Sequence, residues 1–224
     1  MKIGIVIAIA RELKAFLESD FEIETIKHRN YEIYHCKVNN NDVYAVKSGY
    51  GTIDAAAATQ MLISLYDVEV ILNYGVTGAV DPALRVEDLF VVTGAVNHDY
   101  DVSPIDPVKK HQYEEFDDIF IPLDQGLIDL AKKIRPDLKE AKDATGDDFV
   151  VDKEEKKYLF SLGCNICDME IASIARICFL NNVRCFSVKC ISDTFDGDGG
   201  DFNTNVSRSG AKAFALLKEF LLQL

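Results

Sequence analysis

Three near-continuous apolar runs constrain the fold of this chain more than any other feature. They occupy residues 3–10, 68–73 and 183–191, and such runs are typical of β-strands that are buried on both faces. Strands of this kind lie in parallel sheets that helices cover on both sides. Helical patterns lie between and after these runs, at residues 11–17, 53–65, 125–134, 152–160 and 206–222. The pattern therefore predicts an α/β protein.

Residues 21–46 interrupt this pattern with hairpins. Residues 21–27 and 31–38 alternate apolar and polar side chains, and residues 39–42 form a turn into residues 43–46, which favours antiparallel strands at one side of the sheet. With 224 residues and 48% hydrophobic content, the chain suits one domain with a sizeable core. We expect a single domain over residues 1–224, built on a central mixed β-sheet.

The net charge of −13 limits the partners of the protein. It results from 24 basic and 37 acidic residues, whereas nucleic acids and anionic membrane surfaces require a basic footprint. No apolar run approaches the ~20 residues that span a membrane, and Arg11 and Glu12 end the first run without a secretory cleavage site. We expect a cytoplasmic protein that binds a small molecule, with no nucleic-acid or membrane partner.

The six cysteines sit mostly inside apolar segments, where a reduced cysteine behaves as a small hydrophobic residue. Only Cys164 and Cys167 have the spacing of a motif. A zinc site would need a second such pair, and a thioredoxin-like site would place the motif between an early strand and its helix. A metal or thiol-redox module at this pair remains an alternative function.

Two carboxylates mark the strongest candidate site. Glu170, in the cluster Asp168-Met169-Glu170, opens an apolar helix, and Asp193 ends the strand at residues 183–191. Strand carboxyl ends and neighbouring helix amino ends face the same crevice of an α/β sheet. We expect burial to raise the pKa of Asp193, and the helix dipole to keep Glu170 ionised. An acid paired with an anion suits glycosidic bond cleavage, although the two residues can equally cap a helix and end a strand.

Glu12 occupies the same kind of position, after the first strand and at the start of a helix; taken alone, it reads as an acid favoured by the helix dipole. Residues 74–79 form a glycine-bounded turn after the second apolar run, where Thr77 offers a hydroxyl. Neither a Walker lysine nor a GxGxxG motif is present, which argues against ATP and NAD. Phe149 follows a turn and either stacks on a planar base or packs internally. The acidic, glycine-rich residues 196–201 lack the calcium-loop pattern and are predicted to form a mobile flap.

Taken together, these motifs resemble the nucleoside phosphorylase superfamily, and within it most closely the 5'-methylthioadenosine/S-adenosylhomocysteine nucleosidases. The resemblance runs nearly end to end and implies a three-layer α/β/α fold. Its motifs are Met1-Lys-Ile-Gly-Ile with Glu12, Lys47-Ser-Gly-Tyr-Gly51, Asn73-Tyr-Gly-Val-Thr-Gly78, His98-Asp-Tyr-Asp-Val102, Thr145-Gly-Asp-Asp-Phe149, Asp168-Met-Glu170 and Ile191-Ser-Asp193.

The resemblance implies hydrolysis of the N-glycosidic bond of 5'-methylthioadenosine and S-adenosylhomocysteine to adenine and the thioribose. Asp193 then donates a proton toward purine N7, and Ser192 orients it. Glu170, with Met169 beside it, holds the ribose hydroxyls, and Glu12 acts as the base on the attacking water. The chemistry requires no metal and no organic cofactor, since an acid at the leaving base and carboxylates near the ribose stabilise opposite charges.

The resemblance also implies the residues that line the rest of the substrate site. Phe149 and Val150 line the adenine site, Thr77 and Gly78 belong to the glycine turn, and Ile9 lies near the ribose. A second subunit lends the segment around Val102 to Ile105, within residues 98–105, to the 5'-alkylthio pocket, which implies a homodimer.

Three other functions remain open on this fold. A purine nucleoside phosphorylase shares the acid but uses phosphate; its usual Gly-Asp-Pro-type loop after the first strand is absent, although Arg11 offers a cation. A uridine phosphorylase is disfavoured because a pyrimidine has no N7 for Asp193. A non-catalytic nucleoside-binding protein would not need Glu12. Substrate preference is open because several residues depart from the nucleosidase pattern: Ile9, Val76, Ala79, Asp168 and Ile171.

Overall fold

A mixed β-sheet with ten strands organises the part of the chain that the computed structural model describes, residues 1–197 and 199–224. The strands are β1 (Lys2–Ile7), β2 (Glu24–His28), β3 (Tyr31–Val38), β4 (Asn41–Lys47), β5 (Val70–Ala79), β6 (Leu89–Asn97), β7 (Ile121–Pro122), β8 (Lys139–Thr145), β9 (Ile166–Asp168) and β10 (Arg184–Asp193). The helices are α1 (Ala10–Leu17), α2 (Thr52–Tyr66), α3 (Gln125–Ile134), α4 (Lys153–Ser161), α5 (Ile171–Leu180) and α6 (Gly200–Leu221).

The three predicted apolar runs form the centre of the sheet. β1, β5 and β10 correspond to these runs, and β5 pairs in parallel with both β1 and β10. Their carboxyl ends therefore lie together at one edge. The hairpins β2-β3-β4 extend the sheet beyond β1, so the prediction of a mixed sheet is confirmed.

Beyond β10 the sheet curls back on itself. β10 pairs with β6, β6 with β8, β8 with β9, and β9 with β5. These five strands thus form a closed ring. The closure brings the end of β9, and the loop that follows it, next to the ends of β5 and β10.

Helices cover the sheet on both sides. α6 packs on β5 and β10, where Phe214 lies against Tyr74 and Phe220 stacks on Phe186 with ring centroids 4.2 Å apart. α2 and α5 pack together and contact β1 and β10 respectively. The arrangement matches the predicted α/β/α layers.

Two local predictions from the sequence are wrong, and two strands were not predicted. Residues 74–79 continue β5 instead of forming a turn. The strands that were not predicted are β8 and β9, and β9 ends at Asp168, before Glu170 and α5. Gly200 and Asp201 begin α6, whereas a flap was predicted at residues 196–201; Asp198, within that prediction, lies outside the described residues.

Two further properties follow from the described residues. None of the helices among them is long and apolar enough to cross a membrane. Among the same residues, no cluster of three or more His, Cys, Asp or Glu side chains is arranged to hold a metal ion.

Candidate active site

A cavity opens at the carboxyl ends of β1, β5 and β10. It encloses about 560 Å³ of empty space, including the part that is open to solvent. All the predicted site residues except Val102 and Ile105 line it, namely Ile9, Glu12, Thr77, Gly78, Phe149, Val150, Met169, Glu170, Ser192 and Asp193. The sequence analysis expected these side chains to meet because the carboxyl ends of parallel strands face one crevice, and the structure brings ten of them to one cavity; we call this relation the strand-end rule.

Glu12 lies in the first turn of α1 and is buried. Its Oε1 accepts the Val76 N–H at 2.7 Å, and its Oε2 accepts the Ile9 N–H at 3.2 Å. The carboxylate fits because Gly75 has no side chain; a Cβ there would lie 2.6 Å from Oε1. Burial raises the pKa of Glu12, although Lys189 and the two N–H donors oppose this shift. A carboxylate with a raised pKa is a better proton acceptor.

Asp193 ends β10 directly opposite Gly78 of β5. The Ser192 hydroxyl donates to its Oδ1 at 2.7 Å, and a Cβ at Gly78 would lie 2.8 Å from its Oδ2. Burial raises the pKa of Asp193, in spite of the hydrogen bond from Ser192 and the charge of Lys156. The sequence-based expectation that burial raises the pKa of Asp193 therefore agrees with the structure, and a raised pKa makes a carboxyl group better suited to donate a proton.

Glu170 immediately precedes α5 and is buried, with its Oε1 accepting the Gly51 N–H at 3.2 Å. The prediction that the helix dipole keeps it ionised is wrong for the free chain. Burial, followed by the charge of Asp168, raises the pKa of Glu170 to about 8. Loss of hydration outweighs the dipole because a helix terminus supplies only a fraction of a charge.

Asp168, rather than Glu170, caps the amino end of α5 with its side chain. Its oxygens accept the Ile171 N–H at 3.1 Å and the Glu170 N–H at 3.2 Å, and the Thr145 hydroxyl donates to it at 2.6 Å. Lys189, in the middle of β10, places its ammonium 2.7 Å from Asp168 Oδ2. The sequence reasoning missed this ion pair, although a lysine inside an apolar strand was a visible signal.

Aromatic side chains form the mouth of the cavity. Phe149 is 46% exposed and meets Phe202 edge-on, with ring centroids 5.3 Å apart. The sequence analysis missed Phe202, which directly follows the glycine-rich residues 196–201 that were predicted to form a flap. The Arg11 guanidinium lies 5.0 Å from the Phe202 ring and donates to Asn203 at 3.1 Å. Arg11 is therefore directed at α6 and is not among the residues that line the cavity.

Four residues that the sequence analysis singled out do not take the place or the chemistry considered for them. Val102 and Ile105 do not line the cavity of the single chain, and Ile105 is 82% exposed. Cys164 and Cys167 are buried free thiols, and Cys167 also contacts the cavity. Burial raises the pKa of Cys164 to about 12 and that of Cys167 well above its usual value. Such environments disfavour the thiolate that metal binding or redox exchange requires.

Comparisons with known proteins agree with this geometry. The model of the phosphorylase superfamily matches residues 2–222. An aminodeoxyfutalosine nucleosidase of Helicobacter pylori strain J99 is 32% identical over 100% of this chain and 99% of its own length. A 5'-methylthioadenosine/S-adenosylhomocysteine nucleosidase of Shewanella denitrificans is 28% identical, with 100% of both chains covered.

Solved structures give the same result. The crystal structure of a Helicobacter pylori 5'-methylthioadenosine/S-adenosylhomocysteine nucleosidase, complexed with a pyrrolopyrimidine-containing pyrrolidinol, superposes with a TM-score of 0.94 at 31% identity. It covers 100% of this chain and 99% of the other. A futalosine hydrolase of Helicobacter pylori strain 26695 superposes with a TM-score of 0.94 at 29% identity, covering 100% and 98%.

Proposed function

The chain belongs to the phosphorylase superfamily, and we propose that it hydrolyses the N-glycosidic bond of 5'-methylthioadenosine, S-adenosylhomocysteine and related 5'-substituted adenosines. It is an N-glycosyl hydrolase of the nucleosidase type. The observation that supports the proposal is the cavity itself, because three buried carboxyl groups with raised pKa values line it together, those of Glu12, Glu170 and Asp193. Residues 1–224 act as one nucleoside phosphorylase-like domain, in agreement with a family match over residues 2–222.

The proposed reaction assigns one step to each carboxyl group. Asp193 donates its proton to purine N7, so that adenine leaves as a neutral base while positive charge develops on the ribose. Glu170, beside Met169, accepts hydrogen bonds from the ribose hydroxyls. Water attacks the anomeric carbon and gives its proton to Glu12. The products are adenine and the 5'-substituted ribose, and the buried setting strengthens each electrostatic interaction.

The charged groups near the proposed position of the nucleophile favour water over phosphate. Glu12 occupies this side, and a carboxylate repels a phosphate dianion. Arg11, the cation that would support a phosphorylase, binds Asn203 and covers Phe202 instead. Both observations favour hydrolysis, and an assay with and without phosphate distinguishes it from phosphorolysis and from binding alone.

The site is proposed to be completed in a homodimer. Ile105 is a large apolar residue with 82% exposure, and α2 also exposes Ile53 and Leu65. A second copy that covers these side chains would bring residues 98–105 to the 5' side of the neighbouring cavity. We place the protein in the cytoplasm, because its six cysteines are free and buried rather than paired.

A longer 5' substituent is a second candidate for the substrate. Several of the similar proteins are named aminodeoxyfutalosine nucleosidases, at 29% and 32% identity. Nucleosidases of both names match this chain over most of its length. The substrate panel must therefore include aminodeoxyfutalosine beside 5'-methylthioadenosine and S-adenosylhomocysteine.

The decisive experiment is adenine release from 5'-methylthioadenosine by purified protein in phosphate-free buffer and in phosphate, with the sugar product identified. Free methylthioribose in both buffers supports the hydrolase. Strict phosphate dependence with a sugar 1-phosphate would make the protein a phosphorylase. No release from any of the three nucleosides, together with nucleoside binding, would favour the non-catalytic alternative.

A further inference from the structure

Lys189 is a buried cation beneath the active site with no assigned role. Its side chain and that of Asp168 are each 2% exposed, with the ammonium 2.7 Å from Asp168 Oδ2. A buried charge is costly unless it is paired and hydrogen-bonded. Lys189 lies opposite Gly75 in the parallel register of β10 and β5, and the Glu12 carboxylate lies over the same glycine. The lysine is thus close to two of the proposed catalytic elements without lining the cavity.

Asp168 links Lys189 to the ribose side of the site. One Asp168 oxygen binds the ammonium, and the other accepts the Thr145 hydroxyl and the Glu170 N–H. The Ile171 N–H, which opens α5, also donates to this carboxylate. A carboxylate held at one end by a cation therefore fixes the short segment from which Glu170 reaches the cavity.

Four acids from four different elements surround this one lysine. They are Glu12 from α1, Asp143 from β8, Asp168 from β9 and Glu170 from the start of α5. Burial opposes a charge on Lys189, but Asp168, Asp143 and Glu170 raise its pKa above the ordinary value, so the ammonium persists. In return, its charge lowers the pKa of Glu12 and of Glu170, against the larger effect of burial.

Asp143 is itself shifted toward the neutral acid by its surroundings. Neither of its oxygens has a hydrogen-bond partner among the described residues. Burial and the charge of Asp168 raise the pKa of Asp143 well above its usual value, which favours the neutral acid. Asp168 is therefore the acid that pairs directly with the Lys189 ammonium, whereas Glu12, Asp143 and Glu170 are acids whose raised pKa values the charge of Lys189 opposes.

We propose that Lys189 is a positioning residue for the reaction: through Asp168 it fixes Glu170, and its charge keeps Glu170 and Glu12 available as anions for the ribose and the water. The inference rests on the proposed hydrolase function. It assigns to β10 a second contribution besides Asp193, made four residues earlier on the same strand. A purely structural lysine would affect stability and total activity but not the pH at which the two carboxyl groups become ionised.

The test is the pH dependence of kcat/KM for 5'-methylthioadenosine hydrolysis, measured for three variants of the full chain. On the acid side of this profile, kcat/KM rises as the carboxyl groups become ionised; we call this part the rising limb. Lys189→Met removes the cation, and we expect the rising limb to move up by about one to three pH units, the size of an opposite-charge effect. Asp168→Asn keeps the cation and removes a neighbouring anion, so the same limb moves down. Lys189→Arg keeps the charge and holds the limb near its wild-type position.

Lys212→Met serves as the matched control. Lys212 lies on α6 with 45% side-chain exposure and pairs with Glu87, away from the cavity, so its profile remains that of the wild type. Opposite shifts for Lys189→Met and Asp168→Asn support the inference. An unchanged rising limb in the folded variants, whatever their activity, overturns it. If Lys189→Met does not fold, the rising limb of Lys189→Gln, which also removes the charge but keeps a polar side chain, decides by the same criterion.

The wild-type profile separates this test from the proposed function. If the wild-type protein releases no adenine in phosphate-free buffer, the proposed function has failed, and there is no pH profile of hydrolysis to compare. If the wild type is active with a bell-shaped profile but the variants share its rising limb, the function stands and the role of Lys189 is rejected.

Discussion

The floor and the mouth of the cavity are built differently. On the floor, the carboxyl groups of Glu12, Glu170 and Asp193 are buried, and each accepts at least one hydrogen bond at 2.7–3.2 Å. At the mouth, Tyr50 is 60% and Phe149 is 46% exposed. The carboxyl groups that the proposed mechanism uses for proton transfer are therefore held by hydrogen bonds, whereas the aromatic side chains proposed to contact the base remain largely exposed.

This difference gives an expectation for mutants. In the proposed mechanism the floor residues act in the transition state and the mouth residues bind the substrate. Changes on the floor should therefore reduce kcat, and changes at the mouth should raise KM. A variant at either place that behaves like the other class would contradict the division.

Asp193→Asn should have the largest effect. The amide cannot donate a proton to purine N7, and the loss of general acid catalysis is expected to cost about 10²–10⁴-fold in kcat. The fold should persist because Asn retains the volume beside Gly78 and can accept the Ser192 hydroxyl. Adenine release from 5'-methylthioadenosine measures the effect, with circular dichroism to confirm folding. Asp196→Asn, an exposed change nearby at 79% exposure, is the control; equal losses in both would exclude the acid role.

The strand-end rule explains why the sequence revealed these carboxyl groups. Parallel strands with apolar interiors predict where their carboxyl ends meet, so Glu12 and Asp193 were identifiable before any coordinates were known. The rule describes topology only. It does not indicate how buried each group becomes, which is why the ionisation of Glu170 was wrongly predicted from its helix.

Other features depend on tertiary context that a single sequence does not display. β8 reads K-E-A-K-D-A-T, a charged segment with weak strand propensity, and it becomes a strand because the ring of the sheet closes around it. Gly75 and Gly78 suggested a turn, whereas their role is to leave space for the Glu12 and Asp193 carboxyl groups. Phe202 escaped notice because a glycine-rich segment precedes it.

Glu12→Gln tests the other proton transfer on the floor. The amide can still accept the N–H of Val76 but cannot take a proton from water, so hydrolysis should fall by about 10²–10⁴-fold. The proposed base acts as an anion and burial raises the pKa of Glu12, so wild-type activity should be lost as the pH falls through this raised value. The rising limb of the pH profile should therefore lie above the ordinary carboxyl range.

Nucleoside binding provides the control for Glu12→Gln. Isothermal titration with 5'-methylthioadenosine should give nearly the wild-type dissociation constant, since the base on the water does not hold the nucleoside. A variant that binds poorly would place Glu12 among the groups that grip the substrate, and one with near wild-type turnover would remove it from the mechanism.

Phe149→Ala tests the mouth. Stacking of a base on an aromatic ring contributes about 1–3 kcal/mol, so KM should rise roughly tenfold with a small change in kcat. Steady-state kinetics with 5'-methylthioadenosine separate the two constants. Phe160→Ala, at the similar exposure of 44% on α4 and outside the cavity, should leave both constants unchanged. A fall in kcat without a rise in KM would show that Phe149 acts in the transition state, as proposed for the carboxyl groups of the floor, and not in substrate binding.

Asp143→Val should have the smallest effect, on stability. Asp143 is fully buried without a hydrogen-bond partner among the described residues, and such a group costs about 1–3 kcal/mol. Its pKa is raised in the folded state, so the folded chain holds a proton that the unfolded chain releases. The contribution of Asp143 to the free energy of unfolding is fully present below the pKa it has in the unfolded chain. It is lost as the pH rises toward the higher pKa that it has in the folded chain.

The stability gained by Asp143→Val should consequently increase between pH 5 and pH 8, as measured by urea unfolding. Valine also suits a buried strand position. Glu140→Val, on the same strand but exposed, should change stability by less than about 1 kcal/mol, since exposed ion pairs contribute little. If Asp143→Val is instead less stable than the wild type, Asp143 is ionised and paired with Lys189. The floor of the cavity would then contain two carboxylates around one cation, and the fixed arrangement that distinguishes it from the mouth would depend on both.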